Sequence, residues 1–528
     1  MASRYSRRDL ARWSLLGAGS VPFAALLAAC SDDGAATSAG TSTTNSPTTA
    51  PPTTGPATTV PPTVAPTVAP TAPPTTVAVD PNRPWWLQGN FAPVMDEIEA
   101  TNLEVRGALP PELNGLYVKN SSNPARADSP HWFFGDGMVH GLRLSDGRAD
   151  WYRNRWVRTE PFIAGRGFGD GPPVGGNNQS NVSALWHGGR LLTSGEVGFP
   201  FHLSADDLST IGALDFGGAL PSSFTAHPKI DPATGRMHAF GYGFTPPYLH
   251  YYVIEPDGTM STVEPVELPR GTMMHDFAIT ETDVVFWDLP VVFDLELAIE
   301  MINNPESDTM AFVWRPEAGA RVGVMPLGGP ASAIRWFELD EPCYVFHSVN
   351  AFRRGDEVVV DVCRLASMFD GTESGLGGKQ TLRRWTIDTA ASRVRDDVVE
   401  VDNPGDLPTR DPRRVGREHR YGYLVGERPH PHTVDLGGVI KHDFQSGSRT
   451  MWEPGPTRHA TEPLFVGGDP ADNSDDAGWV LSFVHDDATN ESVLAVLDAT
   501  DVAAGPVAEV VMPQRVPYGF HATWVPQR

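Results

Sequence analysis

The feature that most limits what this chain can fold into is its supply of strand-length apolar phrases. Tyr251-Tyr252-Val253-Ile254, Asp283-Val284-Val285-Phe286-Trp287, Glu357-Val358-Val359-Val360-Asp361-Val362, Trp479-Val480-Leu481-Ser482-Phe483-Val484 and Ser492-Val493-Leu494-Ala495-Val496-Leu497 are short and rich in β-branched and aromatic residues. Turn residues separate them, as in Pro256-Asp257-Gly258 and Arg354-Gly355-Asp356. Phe293 to Asn303 is the clearer helical candidate, with Leu295, Leu297, Ile299 and Met301 among acids in an imperfect helical period. About 445 residues of such text, from residue 84 to residue 528, are too many for one sandwich. A closed β-propeller absorbs that length without exposing long strand edges. No blade-length sequence repeat marks the blades.

The first 83 residues are of another kind. Ser6-Arg7-Arg8-Asp9-Leu10 resembles a twin-arginine export signal, and an apolar run from Trp13 to Ala29 follows it. That run ends in Leu27-Ala28-Ala29-Cys30, which resembles a lipobox, so residues 1–30 are expected to be a lipoprotein signal with lipidation at Cys30. The run is short for a spanning helix. The expected location is the outer face of a bacterial cytoplasmic membrane, held there by lipid. Residues 31–83 are expected to be a disordered Thr/Pro-rich tether. Between Gly34 and Val79 there is no charged residue, and repeats such as Val64-Ala65-Pro66-Thr67 favour extended polyproline-like chain over any core. At about 3.1 Å per residue the tether reaches up to roughly 140 Å.

A net charge of −25 argues against nucleic acid as a partner, because phosphate binding needs a basic surface. Three cysteines are too few for a disulfide framework. Cys343 and Cys363 flank a hairpin turning near Arg354 to Asp356, in a register that does not oppose them, and are expected to stay free.

Four of the 16 histidines recur in one setting, where an apolar run meets a turn. They are His227 in Thr225-Ala226-His227-Pro228, His275 in Met273-Met274-His275-Asp276, His347 in Tyr344-Val345-Phe346-His347-Ser348 and His521 in Gly519-Phe520-His521-Ala522. Separations of 48, 72 and 174 residues exclude a local loop site. Four imidazoles converging from such ends could hold one metal. His430-Pro431-His432 lies in a polar Pro-rich turn and is set aside, while His131 and His140 are expected to bond backbone.

Longer motifs carry a family likeness. Asn114-Gly115-Leu116-Tyr117, Asn123-Pro124, the stretch from His131 to His140 through Trp132-Phe133-Phe134-Gly135-Asp136-Gly137, and Tyr152 to Thr159 resemble the opening of the carotenoid cleavage oxygenases. That family includes stilbene-cleaving enzymes and retinoid isomerases. Ser222 to Pro232, Met273 to Asp276, Phe346 to Ala351, Tyr421-Gly422-Tyr423 and Val516 to His521 extend the likeness, in the family's order, over about residues 86–528.

The resemblance implies an all-β fold, a seven-bladed β-propeller with a helical and loop cap over one face. It implies one Fe(II), held by His227, His275, His347 and His521, with carboxylates accepting the N–H on the far side of three of these rings. Glu196 and Glu462 match two of those carboxylates. Asp406, in Asp406-Leu407-Pro408, stands where the family has glutamate; being one methylene shorter, it is expected to lengthen its hydrogen bond, shift the ring or admit a water. Asn120-Ser121-Ser122-Asn123-Pro124 departs from the family's Asn-Gly-Pro-Asn-Pro, a difference of loop geometry. The implied activity is cleavage of a conjugated C=C bond of a carotenoid or apocarotenoid by O₂, giving two carbonyl products. The expected partners are that lipophilic alkene and O₂, and a monomer is expected. No protein acid or base beyond the iron centre is required. Trp132, Phe133 and Phe134 could line the tunnel or simply pack. The alternatives are a phenolic stilbene substrate, against which the absence of lysine between Lys119 and Lys229 counts, and a ligand-binding propeller without catalysis.

Overall fold

A computed structural model describes residues 80, 82–127, 129, 132–166, 175–243, 245–297, 312–369, 379–429 and 434–527. The signal, Cys30 and most of the tether lie outside them, as do His131, His430 and His432. No helix among the described residues is long and apolar enough to cross a membrane.

Seven antiparallel sheets form a seven-bladed β-propeller, the architecture expected from the strand pattern and the likeness. Five blades are plain four-stranded meanders: residues 183–213, 229–266, 278–338, 344–400 and 406–452. The first and last blades are stitched from both ends of the domain. Strands Gly115–Ser122, Gly137–Ser145 and Arg148–Trp156 take Glu99–Thr101 on one edge and the C-terminal Ala522–Pro526 on the other. In the last blade, Val105–Gly107 pairs with Pro506–Val511. Strands from the two ends of the domain thus complete the blades on either side of the ring's closure. A separate two-stranded sheet, Val291–Phe293 with Phe312–Trp314, projects from the fourth blade's connection.

The five apolar phrases all fall in strands, and the 357–365 strand is buried along nearly its whole length. Continuous rather than alternating burial follows from packing on both faces, since each blade is covered by its neighbours. The core therefore sits between sheets: Val285 and Val324 of the fourth blade share a cluster with Val358, Val360 and Trp385 of the fifth. Phe293 is the point where the helical reading needs correction. It ends a strand and pairs with Phe312, and helix begins only at Leu295; residues 298–311 lie outside the described residues. Pairing with Phe312 overrides a weak helical period. Cys343 and Cys363 are free and buried, and the hairpin opposes Tyr344 to Leu365, leaving the cysteines out of register.

The strand Gly115–Ser122 is buried at every position, so its polar side chains need internal partners. Asn120 donates to the Ser180 and Ser183 carbonyls at 2.9 and 3.1 Å, and Ser121 to Met138 at 2.9 Å. Ser122, where the family has proline, accepts the Gly135 N–H at 2.7 Å. Lys119 is the exception. Its amine is fully buried, has no hydrogen-bond partner among the described residues, and is pulled down to about 7 by burial, with Glu462 opposing.

That anomaly yields a stability prediction. Between pH 10.5 and about 7 the unfolded chain binds a proton that the folded chain does not, so stability falls as pH drops through this window and levels off below it. Lys119→Met should remove the penalty, raising the urea midpoint most near about pH 6 and least near about pH 10. A lowered midpoint at about pH 6 would show that the amine is satisfied in the folded state.

Candidate metal centre

Three of the four histidines lie just before a blade's edge strand, and the fourth lies within one. His227 precedes Lys229–Ile230 of the third blade, and its backbone N–H is fixed by the Thr225 hydroxyl at 2.9 Å. His275 precedes Ala278–Ile279 of the fourth, and His521 immediately precedes the closing strand Ala522–Pro526. His347 lies inside the strand Tyr344–Arg354, where pairing with the neighbouring strand jumps from Val345–Arg364 to Ser348–Val362. That bulge frees His347 from the ladder and aims its ring at the axis, a common use of bulges beside functional sites.

The rings meet. One nitrogen from each of the four lies within 4.8 Å of the others, and this group is able to hold a metal ion. His227 Nε2 and His275 Nε2 are 2.9 Å apart, and His227 stands 4.5 Å from His521 and 5.1 Å from His347 between ring centroids. An ion bonded to nitrogen at about 2.1 Å spans ligand pairs up to about 4.2 Å apart, so small ring movements suffice. The donor chemistry fits as well. His347 Nδ1 is held by Asp406 Oδ1 at 2.8 Å, while its Nε2 is buried with no hydrogen-bond partner among the described residues. Glu462 Oε1 holds His521 Nδ1 at 2.7 Å and its Oε2 accepts the Ala522 N–H at 2.6 Å. Glu196 Oε2 lies 3.4 Å from His275 Nδ1, beyond good hydrogen-bond geometry, and its other oxygen accepts from Tyr242 at 3.1 Å. A carboxylate on Nδ1 keeps the proton there and leaves the Nε2 lone pair facing inward.

Burial favours the uncharged ring that a metal needs. It pushes His227 well below the usual imidazole range, and the other three rings push the same way. Burial also lowers His521, with Glu462 opposing. For His347, burial opposes protonation, but Asp406 together with Asp276 and Glu462 outweighs it and the group is raised.

Asp406 corrects an expectation. Its bond to His347, at 2.8 Å beside 2.7 Å for the glutamate bond to His521, is of ordinary length and not the long one expected. The backbone supplies the reach that the side chain lacks. Gly405 and Leu407 on either side adopt φ of +73° and +49°, and the strand Asp406–Thr409 slips register against Tyr421–Pro429. Asp406 Oδ1 also accepts the Leu407 N–H at 2.8 Å. Burial, then Asp406, pushes the Cys363 thiol well above its usual range, which keeps it inert. Burial and Asp406 also lift Glu427 to about 7, a neighbour that the sequence did not disclose because it enters through strand register.

An aromatic wall approaches the cluster. Trp132 and Phe133, half-buried, pack on Phe520 at 4.8 and 5.8 Å, and Phe520 is the residue before His521. Phe91 extends the wall, 5.1 Å from Trp132 and 4.6 Å from Tyr518. On the other side Phe346 meets His275 edge to face at 5.0 Å. His140 is separate: its Nδ1 contacts the Tyr152 hydroxyl at 2.8 Å, not the backbone expected for it.

Known proteins resemble this chain in sequence and in fold. The family model described as retinal pigment epithelial membrane protein matches residues 91–526. A carotenoid cleavage oxygenase of Mycobacterium tuberculosis is 36% identical over 504 residues, covering 85% of this chain and 99% of its own. Carotenoid 9,10(9',10')-cleavage dioxygenase 1 of Arabidopsis thaliana is 35% identical over 500 residues, covering 83% and 89%. Among solved structures, a Pseudomonas brassicacearum lignostilbene dioxygenase superposes with a TM-score of 0.76 at 28% identity, over 84% of this chain and 98% of its own. A cobalt-substituted Synechocystis ACO gives 0.72 at 26% identity, over 82% and 97%.

The 2.8 Å contact that Asp406 already makes with His347 predicts the outcome of restoring glutamate. Asp406→Glu adds a methylene where the carboxylate already touches the ring, so it should overpack and weaken metal binding. Asp406→Ala should weaken it by roughly 10–100-fold. Metal titration in competition with a chelator checks both; an Asp406→Glu protein that binds as tightly as the parent would show that the loop has room.

Proposed function

The chain belongs to the carotenoid cleavage oxygenase family, and on that premise we propose that His227, His275, His347 and His521 hold a single Fe(II). We further propose that the enzyme uses it to split a conjugated C=C bond of a carotenoid or apocarotenoid, taking up one O₂ and giving two carbonyl products. The observation that carries this reading is the convergence of four imidazoles, three of which turn their outer nitrogens to Glu196, Asp406 and Glu462. Bound iron supplies the O₂ chemistry, and neutral nitrogen ligands leave it positions open for that work.

The protein's own residues hold, orient and exclude water. Carboxylates on Nδ1 fix the ring tautomers and bring negative charge next to a site whose ligands carry none. Trp132, Phe133 and Phe520 offer a long apolar surface leading to His521, suited to an extended polyene held beside the metal.

A phenolic stilbene is the second reading, favoured by the likeness to the lignostilbene dioxygenase. The lysines weigh against it. The chain has four: Lys119 is sealed in a strand, Lys229 and Lys441 are engaged by Asp276 and Asp476, and Lys379 is exposed. None is free to grip a phenol inside the propeller.

Incubating iron-loaded protein with carotenoids, apocarotenoids and hydroxystilbenes under labelled O₂ tests the substrate. The expected result is a pair of carbonyl fragments from a polyene, each carrying label. Cleavage of stilbenes alone would favour the second reading, and iron binding without O₂ uptake would reduce the protein to a binding propeller. The proposal includes location: export and anchoring through Cys30, supported by Arg7-Arg8 and Leu27-Ala28-Ala29-Cys30. Labelled fatty acid should enter the parent protein and not Cys30→Ala; equal labelling of both would remove the anchor.

A further inference from the structure

We propose that Asp276 is a positioning residue that locks three of the four histidine-bearing segments to one carboxylate; the inference rests on the metal reading above. Asp276 is 1% exposed and follows His275 directly. Its Oδ1 accepts from Lys229 Nζ at 2.6 Å, and Lys229 lies two residues after His227. The same oxygen accepts the Phe277 N–H at 2.8 Å. Its Oδ2 accepts both the backbone N–H and the hydroxyl of Ser348, at 2.8 and 2.7 Å, and Ser348 is the residue after His347. Three blades thus deliver a ligand toward the axis and a donor to Asp276 within two residues of that ligand.

The fourth segment is secured differently. Glu462 binds both the His521 ring and the Ala522 N–H, so that ligand and its strand are fixed by one carboxylate from the last blade. Asp276 instead gathers the Lys229 ammonium, the Ser348 hydroxyl and the backbone N–H groups of Phe277 and Ser348. A site of this kind needs its donors held within about 0.5 Å, and independent drift of three blades would exceed that. A shared carboxylate with four donors converts three separate errors into one. Lys229 is itself largely buried, so it cannot leave for water without breaking its 2.6 Å ion pair with Asp276.

The rival explanation is a structural ion pair that merely stabilises the ring. Ser348→Ala and Lys229→Met separate the two, each removing one arm while Asp276 remains. Cobalt(II) titration with chelator competition reads affinity, the visible cobalt spectrum reads ligand geometry, and thermal unfolding of the metal-free protein reads stability. Positioning predicts about tenfold weaker cobalt binding for Ser348→Ala and about 10–100-fold for Lys229→Met, with altered spectra. The double variant should lose less than the product of the two, because both arms act through one carboxylate. Wild-type affinity and spectrum in folded variants, whatever their melting temperatures, would overturn the proposal. If Lys229→Met fails to fold, the milder Ser348→Ala decides by the same two readouts. A parent protein that binds no cobalt overturns this inference together with the metal reading; a parent that binds it alongside unaffected variants overturns this inference alone.

Discussion

The pairing of residues 522–526 with residues 115–119 closes the ring, and the rest of the arrangement depends on it. His521 immediately precedes that strand, and Glu462 holds both the ring and the Ala522 N–H at its start. Without closure, one donor and one carboxylate would leave the axis together. Closure also explains why strands so apolar tolerate having no solvent face: each blade's two surfaces are covered by its neighbours, and only short outer strands are left as edges.

All seven blades contribute to the centre. The third, fourth and fifth bring His227, His275 and His347, and the strand completing the first brings His521. The second, sixth and seventh bring Glu196, Asp406 and Glu462. This division answers an electrostatic need. On the proposed reading, four neutral imidazoles would do nothing to balance a divalent cation, and carboxylates bound directly to it would use the coordination positions that O₂ chemistry requires. Placing the charge one ring away supplies balance, fixes tautomers and keeps those positions open. The same neighbourhood confines other groups: Cys363 is driven to its thiol form and Glu427 toward its acid form.

Much of this was legible in the sequence, for reasons that differ by residue. Strand phrases such as 283–287 and 492–497 revealed themselves because β-branched and aromatic runs between turns have few other uses. The four histidines stood out by their common setting, and their motifs tied them to one family. What stayed hidden depends on register and backbone sign. The bulge at Phe346-His347 and the left-handed residues beside Asp406 leave no mark in composition, so the short carboxylate looked too short. Phe293 looked helical because its partner, Phe312, lies 19 residues on. Asp276 was visible in Met273-Met274-His275-Asp276-Phe277, yet only the packing of three blades shows what it touches.

The central claim is that four imidazoles from four blades form one metal site. Metal analysis of the parent and of His347→Ala, each loaded with Fe(II) under the same conditions, tests it most directly. The account predicts one iron per parent chain and loss of that iron from a folded His347→Ala protein. Full iron occupancy in His347→Ala would contradict it.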